Sequence, residues 1–287
     1  MTNSEYHDAL ERGFTIVIPT WNNDNYLDMC IDYIKKHSKY DHEILVFLNG
    51  CTDNSREVCE KHNVAYVDAE QNYGICVGVN ALAQQANKVA VSYVNDDMLV
   101  MPGWDTNIVK FCREYDVPEF SFLTGTMVEP KGDNPVCLTE GIDYGETWDT
   151  FDEERFMKDL PELLKKKPHQ NGTCWVPSLW PTKIFNNVGG LDEAYSPGRG
   201  SDPDIAAVFY NNGCRHFFSV GDSLAYHFAM ITTPRMDQQK RTDPGSIFYN
   251  KHANQPWGPI NYNEFLSRVL KRGTEFTGKP IPDWGEH

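Results

Sequence analysis

The eight cysteines of this 287-residue chain include no C-x-x-C pair and no paired zinc spacing. Scattered thiols, several inside apolar stretches as Cys30 and Cys76 are, predict reduced core residues rather than a disulfide or metal framework. No apolar run approaches the roughly 20 residues that span a bilayer. The opening Met1-Thr2-Asn3-Ser4-Glu5 has no basic region leading into an apolar one, so no secretory leader is expected. Reduced thiols without leader or anchor predict a cytoplasmic protein. Internal repeats and low-complexity segments are absent too. Positive charge is scarce: 26 Lys and Arg face 41 Asp and Glu, a net −15. That balance argues against nucleic acid or an anionic membrane as partner, because phosphate contacts are made by Lys and Arg. A phosphorylated ligand would then need a divalent ion or a helix N-terminus to hold it. What is present is ample core material, with 40% hydrophobic and 13% aromatic residues, too much for a disordered chain. The length suits one large α/β domain or two small ones.

The first hundred residues alternate strand and helix patterns. Residues 14–18 form an apolar run stopped by Pro19, and Leu27, Cys30, Ile31 and Ile34 recur at helical spacing over 25–37. A second strand at 43–48 ends at Asn49-Gly50, and Asp53-Asn54-Ser55 can cap a helix reaching about His62. Strand 64–67, helix 75–87 and strand 89–94 continue the pattern, which implies right-handed βαβ crossovers and a parallel sheet. Further on the pattern predicts strands at 119–128 and 214–220 and helices at 152–166 and 202–212. The run Lys165-Lys166-Lys167 reads as a solvated helix end favoured by the macrodipole. The last 55 or so residues, rich in Pro, Gly and aromatics, read as a wrapping tail.

Ligands of such sheets bind at the carboxyl ends of strands. Those ends carry Pro19-Thr20-Trp21-Asn22, then Asn49-Gly50, then Asn95-Asp96-Asp97. Two adjacent acids after an apolar strand repel one another unless a cation or cap offsets them. Carboxylate oxygens suit Mg²⁺ or Mn²⁺, ions commonly shared with substrate phosphates.

These segments resemble the family-two glycosyltransferases of the GT-A fold. Phe-Thr-Ile-Val-Ile-Pro-Thr-Trp-Asn-Asn (14–23) is similar to their opening strand, and residues 43–55 to their second strand with its Asp-Gly-Ser-Thr-Asp turn. Asn72-Tyr73-Gly74 with Asn80 resembles the Asn-x-Gly…Asn segment near the donor. Residues 93–104 resemble the stretch holding the Asp-x-Asp metal motif and the Pro-Gly-Trp after it. Val188-Gly-Gly-Leu-Asp-Glu193 is similar to Gly-Gly-Phe-Asp-Glu, Asp202-Pro203-Asp204 to the acceptor-site Glu-Asp-x-Asp, and Ala225-Tyr226-His227 to a strand ending in a metal-binding His. The resemblance covers about residues 14–228 and keeps the order of seven motifs.

The resemblance implies a Rossmann-like, mostly parallel sheet flanked by helices, with an irregular C-terminal tail. Residues 1–230 would form the catalytic domain, with a nucleotide half over 14–104 and an acceptor half over 105–230. Residues 231–287 would be the tail. It further implies transfer of a sugar from a nucleoside-diphosphate sugar to a hydroxyl of a glycan or other acceptor, with inversion and with Mn²⁺ or Mg²⁺. Asp97 and His227 would ligate the metal; Asn95 and Asp96 would face ribose or sugar. Pro19, Thr20, Asn22, Asn49, Asn72, Gly74 and Asn80 would line the donor site. Asp202 fits the general base, with Asp204 as an alternative base or a first-turn acid of its helix.

The chain departs from the family pattern in places. Leu48 and Asn49 stand where an Asp-Asp pair reads the nucleobase, which weakens any inference of uridine; Asn95 replaces the first metal-motif Asp, and Ser201 a Glu. Of Trp148, Trp175, Trp180 and Trp257, one is expected against the acceptor sugar, Trp180 by slight preference. Arg235, Lys240 and Arg241 in 232–246 would close over the diphosphate as a lid, or else belong to an exposed polar loop. Rival readings are a non-catalytic nucleotide- or carbohydrate-binding protein, sugar transfer to a modified nucleic-acid base, and a nucleotidyltransferase. The last expects a Gly-rich basic loop after the first strand, where this chain has Pro-Thr-Trp-Asn-Asn-Asp.

Overall fold

The structure is a computed structural model and describes residues 1–130, 137–138, 142–229, 231 and 243–285. Among the described residues one eleven-stranded sheet organises the chain. Its strands are β1 (Thr15–Thr20), β2 (Glu43–Asn49), β3 (Ala65–Ala69), β4 (Ala90–Tyr93), β5 (Met98–Val100), β6 (Ser121–Val128), β7 (Cys137–Leu138), β8 (Gln170–Asn171), β9 (Ser178–Pro181), β10 (His216–His227) and β11 (Thr274–Glu275). The helices are α1 (Asn3–Leu10), α2 (Asp24–His37), α3 (Ser55–His62), α4 (Ile75–Gln85), α5 (Trp104–Glu114), α6 (Glu153–Lys166), α7 (Thr182–Asn187), α8 (Ser201–Asn211) and α9 (Pro244–His252). Every residue of β1 is buried, as a central parallel strand covered on both faces must be. Helix α2 lays Leu27, Cys30, Ile31, Tyr33 and Ile34 inward and leaves its charges outside.

Strands β3, β2, β1 and β4 are neighbours and run parallel. The chain builds outward from β1 to β3, then crosses back to place β4 on the other side of β1. That reversal opens a crevice beyond the carboxyl ends of β1 and β4. Strand β9 is antiparallel to both β4 and β6, so β6 points the same way as β4, and β10 lies parallel to β6. The carboxyl ends of β1, β2, β4, β6 and β10 therefore share one rim of the sheet. This is the mostly parallel, helix-flanked sheet that the motifs predict.

Three features differ from the sequence reading. Helices α1 and α5 and strands β5 and β9 are additional, α1 starting with a capping box between Thr2 and Glu5. Strand β10 continues past residue 220 to His227, with a register shift between Ser219 and Leu224. Lys167 is not solvated: it is buried, its Nζ donates to the Cys137 carbonyl at 3.4 Å, and burial pushes its ammonium down to about 8. All eight cysteines are free and seven are buried.

The main core runs through both faces of the sheet and includes tail residues Phe248, Trp257, Phe265, Leu266 and Leu270 alongside Ile16 and Ile18 of β1. A second cluster packs Phe156, Leu160 and Leu163 of α6 against Leu99, Leu224, Tyr226 and Phe228.

Candidate active site

At the rim, short polar loops are tied to each other by side-chain amides. Asn22, in the left-handed region at φ 54°, accepts from the Thr52 N–H at 2.7 Å. Asn49 accepts from the Tyr73 N–H at 2.7 Å and donates to Asn72 Oδ1 at 2.8 Å; that oxygen also takes the Gly74 N–H at 2.9 Å. Gly74 (φ 91°) lets the chain pass Ser196, whose Oγ a Cβ would meet at 2.7 Å. Thr20 Oγ1, at the end of β1 beside Pro19, is buried and has no hydrogen-bond partner among the described residues.

Asn80 sits differently from its expected place at the donor. Its amide donates to the Leu191 carbonyl and accepts from the Leu191 N–H, both at 2.8 Å, so α4 is clamped to the 188–193 loop. Both ends of the amide are occupied by backbone.

The acids after β4 lie in the crevice and are both buried. Asp96 Oδ2 accepts from Asn23 Nδ2 at 2.9 Å, at the start of α2. Asp97 Oδ1 lies 3.3 Å from Nε2 of His227, the last residue of β10. The antiparallel pairing of β5 with β10 sets Met98 opposite His227, which explains why residues 130 apart in sequence meet. On the other side of the ring, Nδ1 is 2.5 Å from Oε1 of Glu129, one residue past β6. Burial opposes charge on His227, but Asp97 and Glu129 outweigh it and push the imidazole up to about 10. Asn95 is half-buried, and its carbonyl accepts from the Met98 N–H at 3.2 Å.

Asp202 and Asp204 occupy the first turn of α8 but face different ways. Burial pushes the Asp202 carboxyl up to about 7, with its own backbone amide pulling partly back. The buried Tyr93 phenol is pushed up by burial and then by the negative charges of Asp202, Asp96 and Asp97, so these acids converge on one region. Asp204 is fully engaged elsewhere. Its carboxylate receives Lys251 Nζ at 2.7 Å, His252 Nε2 at 2.8 Å and the Tyr195 hydroxyl at 3.2 Å. Those partners bind α9 to α8 and leave Asp204 with three side-chain bonds.

The tryptophan expectation needs correcting. Trp180 is fully buried and stacked on Phe185 with centroids 4.8 Å apart, so it reaches no ligand. Trp257 is buried as well and donates its Nε1 to Asn211 at 3.0 Å. Trp175 is half-buried next to Cys174, whose thiol is pushed up by burial and by the Asp202 charge. Trp148 is exposed. Arg235, Lys240 and Arg241 of the expected lid lie outside the described residues. Glu129 was not among the expected site residues. No spacing marks it, because its nearness to His227 arises from the pairing of β6 with β10.

Comparisons with known proteins agree with this architecture. Residues 15–120 match the family described as Glycosyl transferase family 2. Chondroitin synthase of Pasteurella multocida (strain Pm70) is 24% identical over 242 residues, covering 75% of this chain and 24% of that protein. Glycosyltransferase GlyA of Streptococcus pneumoniae serotype 4 (strain ATCC BAA-334 / TIGR4) is 28% identical over 106 residues, 35% of this chain and 15% of that protein. The chain thus spans a quarter or less of the length of these two relatives. Among solved structures, S. aureus TarS 1-349 in complex with UDP-GlcNAc superposes with TM-score 0.60 at 14% identity, over 89% of this chain and 71% of that one. GalNAc-T7 with UDP, GalNAc and Mn2+ gives TM-score 0.54 at 15% identity, over 74% and 42%. The chain thus matches the Glycosyl transferase family 2 over residues 15–120, and its fold is the one seen in GT-A glycosyltransferase structures.

Proposed function

We propose that this protein transfers a sugar from a nucleoside-diphosphate sugar to an acceptor hydroxyl, with inversion and with the help of a divalent cation. The observation that carries the reading is Asp202: a half-buried carboxyl that loss of solvent pushes up to about 7, in the same region as Asp96 and Asp97. A base works best when its pKa lies near the working pH, and Asp202 would take the acceptor's proton as its oxygen attacks the anomeric carbon. One base without a second nucleophile favours a single displacement, hence inversion. Support for a nucleotide-sugar donor comes from the TarS and GalNAc-T7 complexes.

The residues present suit a divalent ion. Asp97 Oδ1 and His227 Nε2 are 3.3 Å apart, close to the roughly 3 Å between adjacent ligands of an octahedral ion with bonds near 2.1 Å. Among the described residues no group of three or more His, Cys, Asp or Glu forms a metal cluster. Asp97 and His227 would thus hold Mn²⁺ or Mg²⁺ together with donor phosphates and water. When bound, such an ion supplies positive charge that stabilises the departing diphosphate. Thr20 Oγ1 would donate to the donor, Asp96 would be kept on the sugar side by Asn23, and Trp175 replaces Trp180 as the acceptor's stacking face. The acceptor itself is proposed only as a hydroxyl-bearing glycan or similar molecule.

The test is turnover of a panel of nucleoside-diphosphate sugars with Mn²⁺. Hydrolysis or transfer that falls at least about 100-fold in Asp97→Ala supports the enzyme reading. Tight binding without turnover in every donor–acceptor pair supports the non-catalytic alternative and overturns it.

A further inference from the structure

Glu129 stands outside every motif, yet it is the group in contact with the far side of the His227 ring. It follows β6 directly, is 7% exposed, and its backbone N–H donates to the Leu138 carbonyl at 3.4 Å. The Cys137 thiol also bonds its carboxylate. Oε1 meets His227 Nδ1 at 2.5 Å while Nε2 faces Asp97 at 3.3 Å. An ionised carboxylate only accepts hydrogen bonds, and a neutral imidazole carries one N–H. A carboxylate fixed at Nδ1 therefore keeps the proton there, so that a cation displacing the Nε2 proton would meet a lone pair directed to the Asp97 side. A lone pair aimed beside a carboxylate oxygen is what a divalent ion requires of a histidine ligand.

We infer that Glu129 is a positioning residue that sets the tautomer and ring direction of His227 for a divalent cation shared with Asp97. The inference rests on the metal reading of Asp97 and His227. Glu129 touches neither substrate nor ion; it acts through the imidazole, anchored by the β6 end and by Cys137. Outer carboxylates of this kind typically change metal affinity 10- to 100-fold when removed.

The test is Mn²⁺ titration of the full chain, alone and with UDP, followed by the electron paramagnetic resonance of free Mn²⁺. Glu129→Ala is expected to weaken Mn²⁺ binding about 10- to 100-fold. Glu129→Gln keeps an acceptor at Nδ1 and should lose only a few-fold. Metal-free UDP binding should stay the same in both, and thermal unfolding reports whether each variant is folded. Mn²⁺ affinity within twofold of wild type in folded Glu129→Ala and Glu129→Gln, with Asp97→Ala and His227→Ala impaired, overturns the role of Glu129 alone. A wild-type protein that binds no Mn²⁺ under either condition overturns the metal site and this inference with it.

Discussion

Two acids on one helical turn have different neighbours, and the proposed roles differ accordingly. For Asp202 the folded carboxyl lies near 7, above its ordinary 3.8. Its stabilising contribution is therefore fully present below about pH 4 and is lost as pH rises through about 7. The proposed base must be ionised to act, so kcat/KM is expected to climb about tenfold per pH unit up to about 7 and then level off. Asp202→Asn should abolish that limb, lower transfer by about 10²–10⁴-fold and leave donor affinity unchanged. It should also flatten the fall in stability between about pH 4 and 7, as denaturant melts would report. Asp204→Asn should do the reverse. It weakens bonds to Lys251 and His252 at a cost of about 1.5–3 kcal/mol, seen as a lower Tm, while transfer by the folded fraction stays within a few-fold. Spacing alone leaves these two acids interchangeable, and only the partners of Asp204 separate them.

At the level of elements, α8 is set by a close approach. Gly200, its N-cap, has φ 93°, and a Cβ there would meet Pro244 Cβ of α9 at 2.5 Å. Gly200→Ala combines backbone strain with that clash and is expected to cost about 1–3 kcal/mol. Because the same turn carries Asp202, transfer should fall more than donor binding, which a comparison of kcat with donor Kd would measure. Strands β1, β2 and β4 are legible because parallel strands buried on both faces are continuous apolar runs, and α2 because its buried residues keep helical period. Strands β5 and β9 hold three and four buried residues, too few to show any alternation. Helix α5 does have an apolar face, with Ile108, Val109, Phe111 and Cys112 buried, but a Pro-Gly-Trp motif masks its start. Glu129 and the clamp made by Asn80 depend on long-range pairing, which no local pattern records.

For the molecule as a whole, the tail is part of the core rather than an appendage. Phe265 is fully buried in the cluster that also contains β1. Phe265→Ala should destabilise the entire fold by about 3–5 kcal/mol in a single cooperative denaturant transition. A separate early transition of the tail would contradict that coupling. The net charge of −15 takes on a narrower meaning here, since Asp97 and Asp202 have proposed roles and Asp204 and Asp105 anchor helices. The Phe228 N–H is bonded to the Asp97 carbonyl at 3.1 Å, and α9 is fastened to the helix bearing Asp202. The backbone at Asp97 and the helix bearing Asp202 are thus each held by bonds from distant parts of the chain.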